Sequence, residues 1–336
     1  PVTTDRPAGR RKAVVVGAGL CGLTAAWRLQ RAGFDVQVFE RETQTAGRVK
    51  SIQLAGCTVD TGATVLLSAY TETLALIEEM GLTPELEAPR GAAVIPRDGR
   101  LHAIPLAAPW KALFTRVIGW RSKLSLLRLI FSFLAVRKRL SFVSLAGARG
   151  ADLQTLQDYC RQRFPDEVYN YLLNPAIKFL YLHNGESGSV IELLWWLGAT
   201  GLGTPKSLRR GTSSLTDALA ARLPVRLESE VVEVARSVAG VAVTVRDAAG
   251  ALQVHLADIC LVTTPAPVSA AICKDGISAA QRAFLDSRRY DPCFNITLCT
   301  RRRPASDALM FMLPDGFDAA LATVIFAHHI GDSRVP

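Results

Sequence analysis

Three glycines near the start of the chain restrict its fold more than any other feature. The β-branched residues 14–16 predict a buried parallel strand, and Gly17, Gly19 and Gly22 follow at the G-x-G-x-x-G spacing before an apolar-periodic helix. Gly17 permits a tight turn, Gly19 lets a pyrophosphate approach the backbone, and Gly22 lets helix and strand pack closely. The free N–H groups at the helix start would face the phosphates. This stretch therefore predicts a Rossmann-type α/β domain that binds a dinucleotide.

An acidic residue at the end of the next predicted strand narrows the choice of dinucleotide. Residues 35–40 alternate as a strand that ends in Glu40, which lies 18 residues after Gly22. An acid at about this spacing accepts hydrogen bonds from the ribose hydroxyls and disfavours a 2′-phosphate. The alternative is a strand-end carboxylate without a ligand. The pattern favours the ribose role, and with it FAD or NAD rather than NADP.

The residues that follow resemble one superfamily of flavoproteins. Ala46-Gly47-Arg48 and Asp60-Thr61-Gly62-Ala63 resemble the Gly-Gly-Arg-type turn and the Asp/Glu-x-Gly segment of the flavin-containing amine oxidoreductase superfamily, within which the chain looks most like the protoporphyrinogen-oxidase-like branch. Ala46 replaces the first turn glycine of that family, which restricts φ at this position. The resemblance implies a glutathione-reductase-like FAD-binding domain with an interleaved α+β substrate domain. It also implies that the backbone of Val231 meets the adenine.

Glycine pattern and resemblance together predict the residues that contact FAD. Arg48 would place a fixed cation by the phosphates or the isoalloxazine, its alternative being an ordinary surface arginine. The complete predicted set is Gly17, Ala18, Gly19, Leu20, Cys21, Gly22, Glu40, Arg41, Gly47, Arg48, Gly62, Ala63, Thr64, Val65 and Val231.

The resemblance and the composition divide the chain into four segments. Residues 10–84 and 206–266 are expected to form the FAD-binding domain, residues 85–205 a helical substrate and membrane-contact insert, and residues 267–336 strands of the substrate domain. The superfamily closes with an acidic-glycine motif that opens a helix behind the isoalloxazine, and nothing here matches it. The chain is therefore expected to be a fragment or a truncated form that lacks the C-terminal part of the family.

Positive charge is concentrated in one part of the chain. Residues 99–151 contain ten Lys and Arg residues and no Asp or Glu, while the net charge of the whole chain is only +9. Residues 111–142 predict a helical stretch with apolar residues between the cations, as in helices that lie on anionic lipid. A core face with a solvated basic face is an equal alternative, and an acidic partner or substrate a weaker one. Because the rest of the chain is nearly neutral, no nucleic-acid partner is implied.

Few residues suggest catalysis by the protein itself. No His, Cys, Asp or Glu spacing typical of a metal site occurs, and no catalytic residue is assigned. The seven cysteines occur singly, which predicts reduced thiols and a cytoplasmic location, with peripheral membrane contact as a further prediction. Residues 293–299 are predicted as a strand in which Asn295 takes the position of a lysine that many amine oxidases hold near flavin N5.

These observations predict an FAD-dependent oxidase or dehydrogenase. Flavin N5 would accept a hydride from a C–H bond of an apolar, porphyrinogen-like or amine substrate, and dioxygen or a quinone would reoxidise it. Aromatic residues concentrated in the insert would line an apolar pocket or form a core: Tyr169, Tyr171, Phe179, Tyr181, Trp195 and Trp196. The alternatives are a carotenoid-type desaturase or isomerase, and an FAD-binding protein without turnover.

Overall fold

The computed structural model describes residues 10–106, 111, 114–140, 145–201, 204–238, 240–274, 276–318 and 321–335. Its helices are α1 Leu20–Arg31, α2 Thr71–Glu79, α3 Trp120–Val136, α4 Leu156–Arg163, α5 Asp166–Val168, α6 Asn174–Tyr181, α7 Val190–Gly201, α8 Ser213–Ala220, α9 Ala266–Ile272, α10 Ala279–Asp286 and α11 Ala327–Ile330. Its strands are β1 Lys12–Val16, β2 Asp35–Phe39, β3 Ser51–Leu54, β4 Cys57–Asp60, β5 Leu66–Leu67, β6 Leu86–Glu87, β7 Ala92–Arg97, β8 Arg100–Pro105, β9 Pro205–Leu208, β10 Val225–Arg226, β11 Glu230–Ser237, β12 Gly240–Arg246, β13 Leu252–Ala257, β14 Ile259–Val262, β15 Ala308–Met312 and β16 Thr323–Ile325.

A parallel sheet of order β10-β2-β1-β14 forms the centre of the first unit. Successive side chains of β1 point to opposite faces of this sheet. Ala13 and Val15 share a buried cluster with residues of α1 and α8, whereas Val14 and Val16 pack with the antiparallel sheet β11-β12-β13. Because both faces are covered, β1 can be an unbroken apolar run. This arrangement confirms the Rossmann-type α/β fold that the glycine pattern predicts.

Helices α3 to α7 form a second unit beside a sheet of order β16-β15-β7-β8. In this sheet β7 and β15 are parallel, and the outer pairs are antiparallel. The helices enclose a core of their own, in which Leu156, Ile177 and Leu193 are fully buried. A π-helical turn, Tyr169–Leu173, joins α5 to α6. The unit is the interleaved α+β part that the resemblance implies.

Strand β9 joins the two units. It pairs antiparallel with both β5 and β6, through Leu66 with Lys206 and Leu86 with Leu208. A 3₁₀ turn at Asp332–Arg334 packs against β4. The junction therefore combines short segments from distant parts of the sequence. The boundaries predicted after residues 84, 205 and 266 stay predictions.

The basic stretch 111–142 is helical over a shorter range than predicted. Helix α3 starts at Trp120 and is followed by a 3₁₀ turn at Arg137–Arg139. Val117 and Ile118 precede the helix and are buried in the core of the insert, so part of the apolar pattern belongs to a packed loop. Residues 112–113 and 141–142 of that prediction lie outside the described residues. Within the described part of the chain, no helix has the length and the apolar composition required to cross a membrane.

The strand predicted at residues 293–299 is wrong. This segment is exposed to solvent, and it pairs with no strand among the described residues. Phe294, Ile296 and Leu298 alternate as strand residues do, yet they are 96%, 80% and 82% exposed. Alternation indicates only that a segment is suited to a sheet. A strand also requires backbone hydrogen bonds to a neighbouring strand. The contacts that Asn295 and Cys299 make with residues of β3, β4 and the turn after β4 come from their side chains.

Candidate dinucleotide site

The three glycines of the opening motif have three different local environments. Gly17 has a φ of +98°, and its N–H donates to the Phe39 carbonyl at 2.8 Å, which continues the pairing of β1 with β2 by one residue. A Cβ at Gly22 would clash with the Gly17 carbonyl oxygen, so this position needs glycine for packing. A Cβ at Gly19 would meet no atom within 4 Å. Gly19 therefore leaves open the space that a phosphate would occupy in front of α1.

Glu40 lies at the carboxyl end of β2, beside the glycine loop. Its Oε2 accepts a hydrogen bond from the Ala18 N–H at 2.7 Å, and its Oε1 accepts one from the Glu42 N–H at 3.0 Å. These bonds fix the carboxylate, and each oxygen keeps a lone pair for another donor. Ribose hydroxyls are donors of the kind that this half-buried carboxylate can accept. Arg41, also in the predicted set, is exposed and pairs with Glu42 at 3.2 Å.

The Ala46-Gly47-Arg48 turn packs directly on the glycine loop. Ala46 adopts a φ of +88°, so the chain keeps the left-handed conformation of the family's glycine despite the methyl group. The Ala46 N–H donates to the Ala18 carbonyl at 3.0 Å, and a Cβ at Gly47 would lie 3.4 Å from the Gly19 Cα. A non-glycine residue in this region costs roughly 1–2 kcal/mol. The Arg48 side chain is exposed at the edge of this loop pair.

The segment after β4 completes the group of loops. The Thr61 N–H donates to the Lys50 carbonyl at 2.9 Å, and the Ala63 N–H donates to the Arg48 carbonyl at 3.1 Å. A Cβ at Gly62 would clash with that Arg48 carbonyl. Gly62 and Ala63 are exposed, while Thr64 and Val65 that follow are half-buried. The structure thus brings together residues 17–22, 46–48 and 61–63, which are far apart in sequence.

The remaining members of the predicted set lie at the edges of this group. Leu20 is half-buried and Cys21 exposed in the first turn of α1. Val231 is buried at the start of β11 in the same cluster as Phe39, and the ladder shifts register between Val231 and Glu233. The Ser229 N–H donates to the Glu40 carbonyl at 2.8 Å, which brings the start of β11 close to Glu40. FAD contact by these residues stays a prediction.

Thr263 is a residue of this site that the sequence did not reveal. It follows β14, and its Oγ1 donates to the Val16 carbonyl at 2.8 Å. The same oxygen would lie 3.1 Å from a Cβ at Gly17. Thr263 therefore braces the turn of the glycine loop from the neighbouring strand. A hydroxyl residue at the end of an apolar strand is too common a signal to assign this role from sequence.

Asp60 is buried and bound by donors from three other segments. Its side chain is 1% exposed, as is that of Arg334, whose guanidinium lies 2.6 Å from Asp60 Oδ2. Asp60 Oδ1 accepts from Ser51 Oγ at 2.5 Å and from the Thr212 N–H at 3.0 Å. Thr212 precedes α8, but its side chain does not cap that helix. Its hydroxyl lies instead within 3.1 Å of Asp60 Oδ1 and 2.9 Å of the Ala63 carbonyl.

Asn295 contacts the segment after β4 although the strand predicted around it is absent. Its Nδ2 donates toward the carbonyls of Asp60 and Thr61, each at 3.4 Å. An amide at this position has no ammonium charge, so the function of the amine oxidase lysine is not supplied by this residue.

One aromatic side chain of the insert stacks on Tyr70, which follows the last of these loops in the sequence. Tyr70, five residues after Val65, stacks on Trp195 of α7 with ring centroids 6.5 Å apart. Burial, followed by the charge of Glu192, raises the pKa of the Tyr181 phenol. Tyr169, by contrast, is buried in the core of the insert. The aromatic residues thus divide between the core of the insert and a half-buried stacked pair, Tyr70 and Trp195.

A profile of the family described as "Flavin containing amine oxidoreductase" matches residues 20–327. The chain belongs to the flavin containing amine oxidoreductase family. Its cofactor is FAD. The open Gly19 face, the fixed Glu40 carboxylate and the convergent loops of this amine oxidoreductase fit the adenosine and pyrophosphate parts of that cofactor.

Curated relatives of this chain include a protoporphyrinogen oxidase and a coproporphyrinogen III oxidase. The chain is 30% identical over 169 residues to protoporphyrinogen oxidase 2, chloroplastic/mitochondrial, of Arabidopsis thaliana. This match covers 50% of this chain and 32% of that protein. It is also 32% identical over 191 residues to coproporphyrinogen III oxidase of Propionibacterium freudenreichii subsp. freudenreichii. That match covers 53% of this chain and 34% of that protein. The aligned part is therefore about a third of the length of these relatives.

A solved structure of putrescine oxidase with putrescine bound shares the fold. It superposes with a TM-score of 0.66 at 18% identity, over 83% of this chain and 63% of that chain. At this identity the similarity concerns the fold alone. Together with the family match, it confirms the predicted fold class.

Proposed function

We propose that this chain is the FAD-binding and substrate-contacting part of an oxidoreductase that acts on a large, apolar, carboxylated substrate of the porphyrinogen class. The observation that carries the proposal is the convergence of residues 17–22, 46–48 and 61–63. The half-buried, stacked rings of Tyr70 and Trp195 add an apolar surface to the chain. Bound FAD would supply a hydride acceptor, and dioxygen or a quinone the final oxidant. The porphyrinogen substrates in the names of the two curated relatives support this substrate class.

The residues of the chain would bind and orient rather than transfer protons. Gly19 leaves room for the pyrophosphate, Glu40 accepts from the ribose, and the exposed Arg48 offers a cation at the edge of the site. Tyr70 and Trp195 would form a flat apolar wall that excludes water on the substrate side. The flavin carries the chemistry, so the lack of an assigned acid–base pair is compatible with this function.

We further propose that α3 lies on an anionic membrane surface. One face of α3, including Leu126, Leu129 and Phe133, packs into the core of the insert. The opposite face is a second apolar stripe and not a solvated basic face. It consists of five exposed side chains at positions i, i+4, i+7, i+11 and i+14, namely Trp120, Leu124, Leu127, Phe131 and Leu134. Arg121 and Arg128 flank this stripe, and exposed cations at 137–139 follow it. Apolar side chains between cations suit an interfacial helix.

Flavin titration and anaerobic reduction test the oxidoreductase proposal. We expect the purified chain to quench FAD fluorescence saturably, and Glu40→Ala to weaken binding by about tenfold or more, since 1.4 kcal/mol is a factor of ten. Glu42→Ala is the matched control, because Glu42 is exposed and contacts Glu40 only through its backbone N–H. Bleaching of the flavin band by protoporphyrinogen or coproporphyrinogen supports the substrate class. Bleaching only by putrescine or by a polyene would contradict it, and absence of FAD binding would overturn the whole proposal.

A further inference from the structure

Arg334, whose partner Asp60 directly precedes residues 61–65, is fully buried, which is unusual for an arginine. Its side chain is 1% exposed, and the rest of the 332–334 turn is held by Ser333, whose Oγ donates to the Arg209 carbonyl at 2.7 Å. The guanidinium donates to two groups on separate strands, Asp60 Oδ2 of β4 at 2.6 Å and Ser207 Oγ of β9 at 2.8 Å. It therefore links the strand that precedes residues 61–65 to the strand that joins the two units.

The carboxylate of Asp60 extends this link to residues 61–65. Besides Arg334, it accepts from Ser51 and from the Thr212 N–H, and the Thr212 hydroxyl lies 3.1 Å from its Oδ1. The Thr212 hydroxyl also lies 2.9 Å from the carbonyl of Ala63, in the middle of that segment. Arg334, Asp60 and Thr212 thus form a continuous buried chain of contacts that ends on the loop backbone.

A charged pair that is fully buried requires both members. Removal of the arginine alone would leave the Asp60 carboxylate without a counterion in a site that excludes water. A lysine in its place would keep the charge but could not span Asp60 and Ser207 with two directed N–H groups, because it lacks the planar fork. The two functions of Arg334, charge compensation and bridging, can therefore be separated by mutation.

We propose that Arg334 is a positioning residue that holds residues 61–65 in place for the flavin, through Asp60 and Thr212. The inference rests on the proposed binding of FAD at this site. The proposed role of Arg334 is more than a contribution to stability, because the link between β4 and β9 sets the geometry of residues 61–65. That geometry determines the FAD affinity and the environment of the bound flavin.

Four variants of the full chain test this inference: Arg334→Met, Arg334→Lys, the double variant Asp60→Asn/Arg334→Met, and the control Arg90→Met. Arg90 pairs with Asp332 of the same turn, but both are exposed. The measurements are the FAD dissociation constant, the visible circular dichroism of the bound flavin, the apo melting temperature, and hydrogen exchange of residues 61–65. We expect Arg334→Met to weaken FAD binding by about tenfold or more, to change the dichroism and to speed exchange, with Arg334→Lys intermediate.

The double variant distinguishes positioning from stability. It leaves no buried charge without a partner, so we expect the melting temperature to return toward that of the wild type while FAD affinity and dichroism stay altered. If Arg334→Met lowers only the melting temperature and leaves affinity, dichroism and exchange at wild-type values, the inference is wrong. Failure of the wild-type chain to bind FAD would instead overturn the proposed function, and the exchange of residues 61–65 in the apo protein would still test the link itself.

Discussion

At the residue scale, Gly19 and Gly22 lie three positions apart in one motif but should fail in different ways when changed to alanine. A methyl group at Gly19 meets nothing in the protein, and its backbone is extended. We expect Gly19→Ala to fold normally and to lose about tenfold or more in FAD affinity, because the methyl would occupy the pyrophosphate space. Gly22→Ala forces a clash with the Gly17 carbonyl and should lower the free energy of unfolding by about 1–3 kcal/mol.

Urea denaturation and FAD titration of both variants separate these outcomes. Gly150→Ala is the matched control, since a Cβ there also meets nothing within 4 Å and the position is remote from the glycine loop. Equal losses of stability in Gly19→Ala and Gly22→Ala would show that Gly19 serves packing rather than phosphate access.

His255 should make folding depend on pH. Burial, and after it the charge of Arg226, lowers the pKa of His255, and its ring packs tilted against Phe39 with the ring centroids 4.7 Å apart. The unfolded chain, with a pKa of about 6.5, then binds more protons than the folded one as the pH falls. The contribution of His255 to the free energy of unfolding is complete above about pH 6.5, and it is lost as the pH falls toward the pKa of His255 in the folded state. We expect His255→Gln to reduce the fall in unfolding free energy between about pH 7.5 and 5. An unchanged pH slope would contradict this assignment.

At the element scale, α3 has two apolar stripes where a helix of a globular protein has one. If the outer stripe contacts lipid, polar residues there should abolish membrane binding without loss of fold, because the stripe is already exposed. We expect the chain to float with vesicles that contain phosphatidylserine and to lose this with Leu124→Ser/Phe131→Ser. The control is Phe284→Ser on α10, a phenylalanine that is 59% exposed.

Charge has a separate effect on the same measurement. Reversal of Arg137 and Arg139 to glutamate should reduce flotation on anionic vesicles and have little effect on neutral ones, since about 1 kcal/mol per cation comes from the lipid charge. Flotation that is the same for the wild type and for both multiple variants would rule out α3 as the membrane-contacting element.

The elements that the sequence predicts well are those specified by local pattern. The strand–glycine–helix unit from Lys12 to Arg31 combines a β-branched run, a turn and an amphipathic helix, all encoded within 20 residues of sequence. The strand predicted at 293–299 fails because alternation does not specify a partner strand. The stretch 111–142 is helical only in part, because its apolar residues serve both a packed loop and the helix.

The candidate site divides in the same way. The spacing of the glycines and the acid at Glu40 predict the glycine loop from sequence. Each position there needs one type of residue: glycine for the left-handed φ at Gly17 and the close packing at Gly22, and a carboxylate at Glu40. Arg334 and Thr263 act across the fold, and Arg334 lies 274 residues from its partner Asp60. No local pattern marks a contact of that range. Only the topology, which places the 332–334 turn against β4, reveals it.

At the scale of the whole molecule, ligand binding should stabilise both units together because β9 and the 332–334 turn connect them. A ligand that binds only the folded chain adds about 2.7 kcal/mol of stability at 100 times its dissociation constant. We therefore expect saturating FAD to raise the melting temperature by several degrees in a single cooperative transition, observed by calorimetry.

The part of the ligand responsible can be identified with fragments of the cofactor. ADP contains the ribose and pyrophosphate that Glu40 and Gly19 are positioned to meet, so it should give part of the stabilisation. NADP should give less than NAD at equal concentration, because the 2′-phosphate would meet the Glu40 carboxylate, which is already fixed by two backbone N–H groups. Glu40→Ala should reduce the effects of FAD and ADP alike, whereas Glu42→Ala should change neither. Stabilisation by FAD that ADP cannot reproduce at any concentration would place the main binding energy on the flavin side, away from the glycine loop.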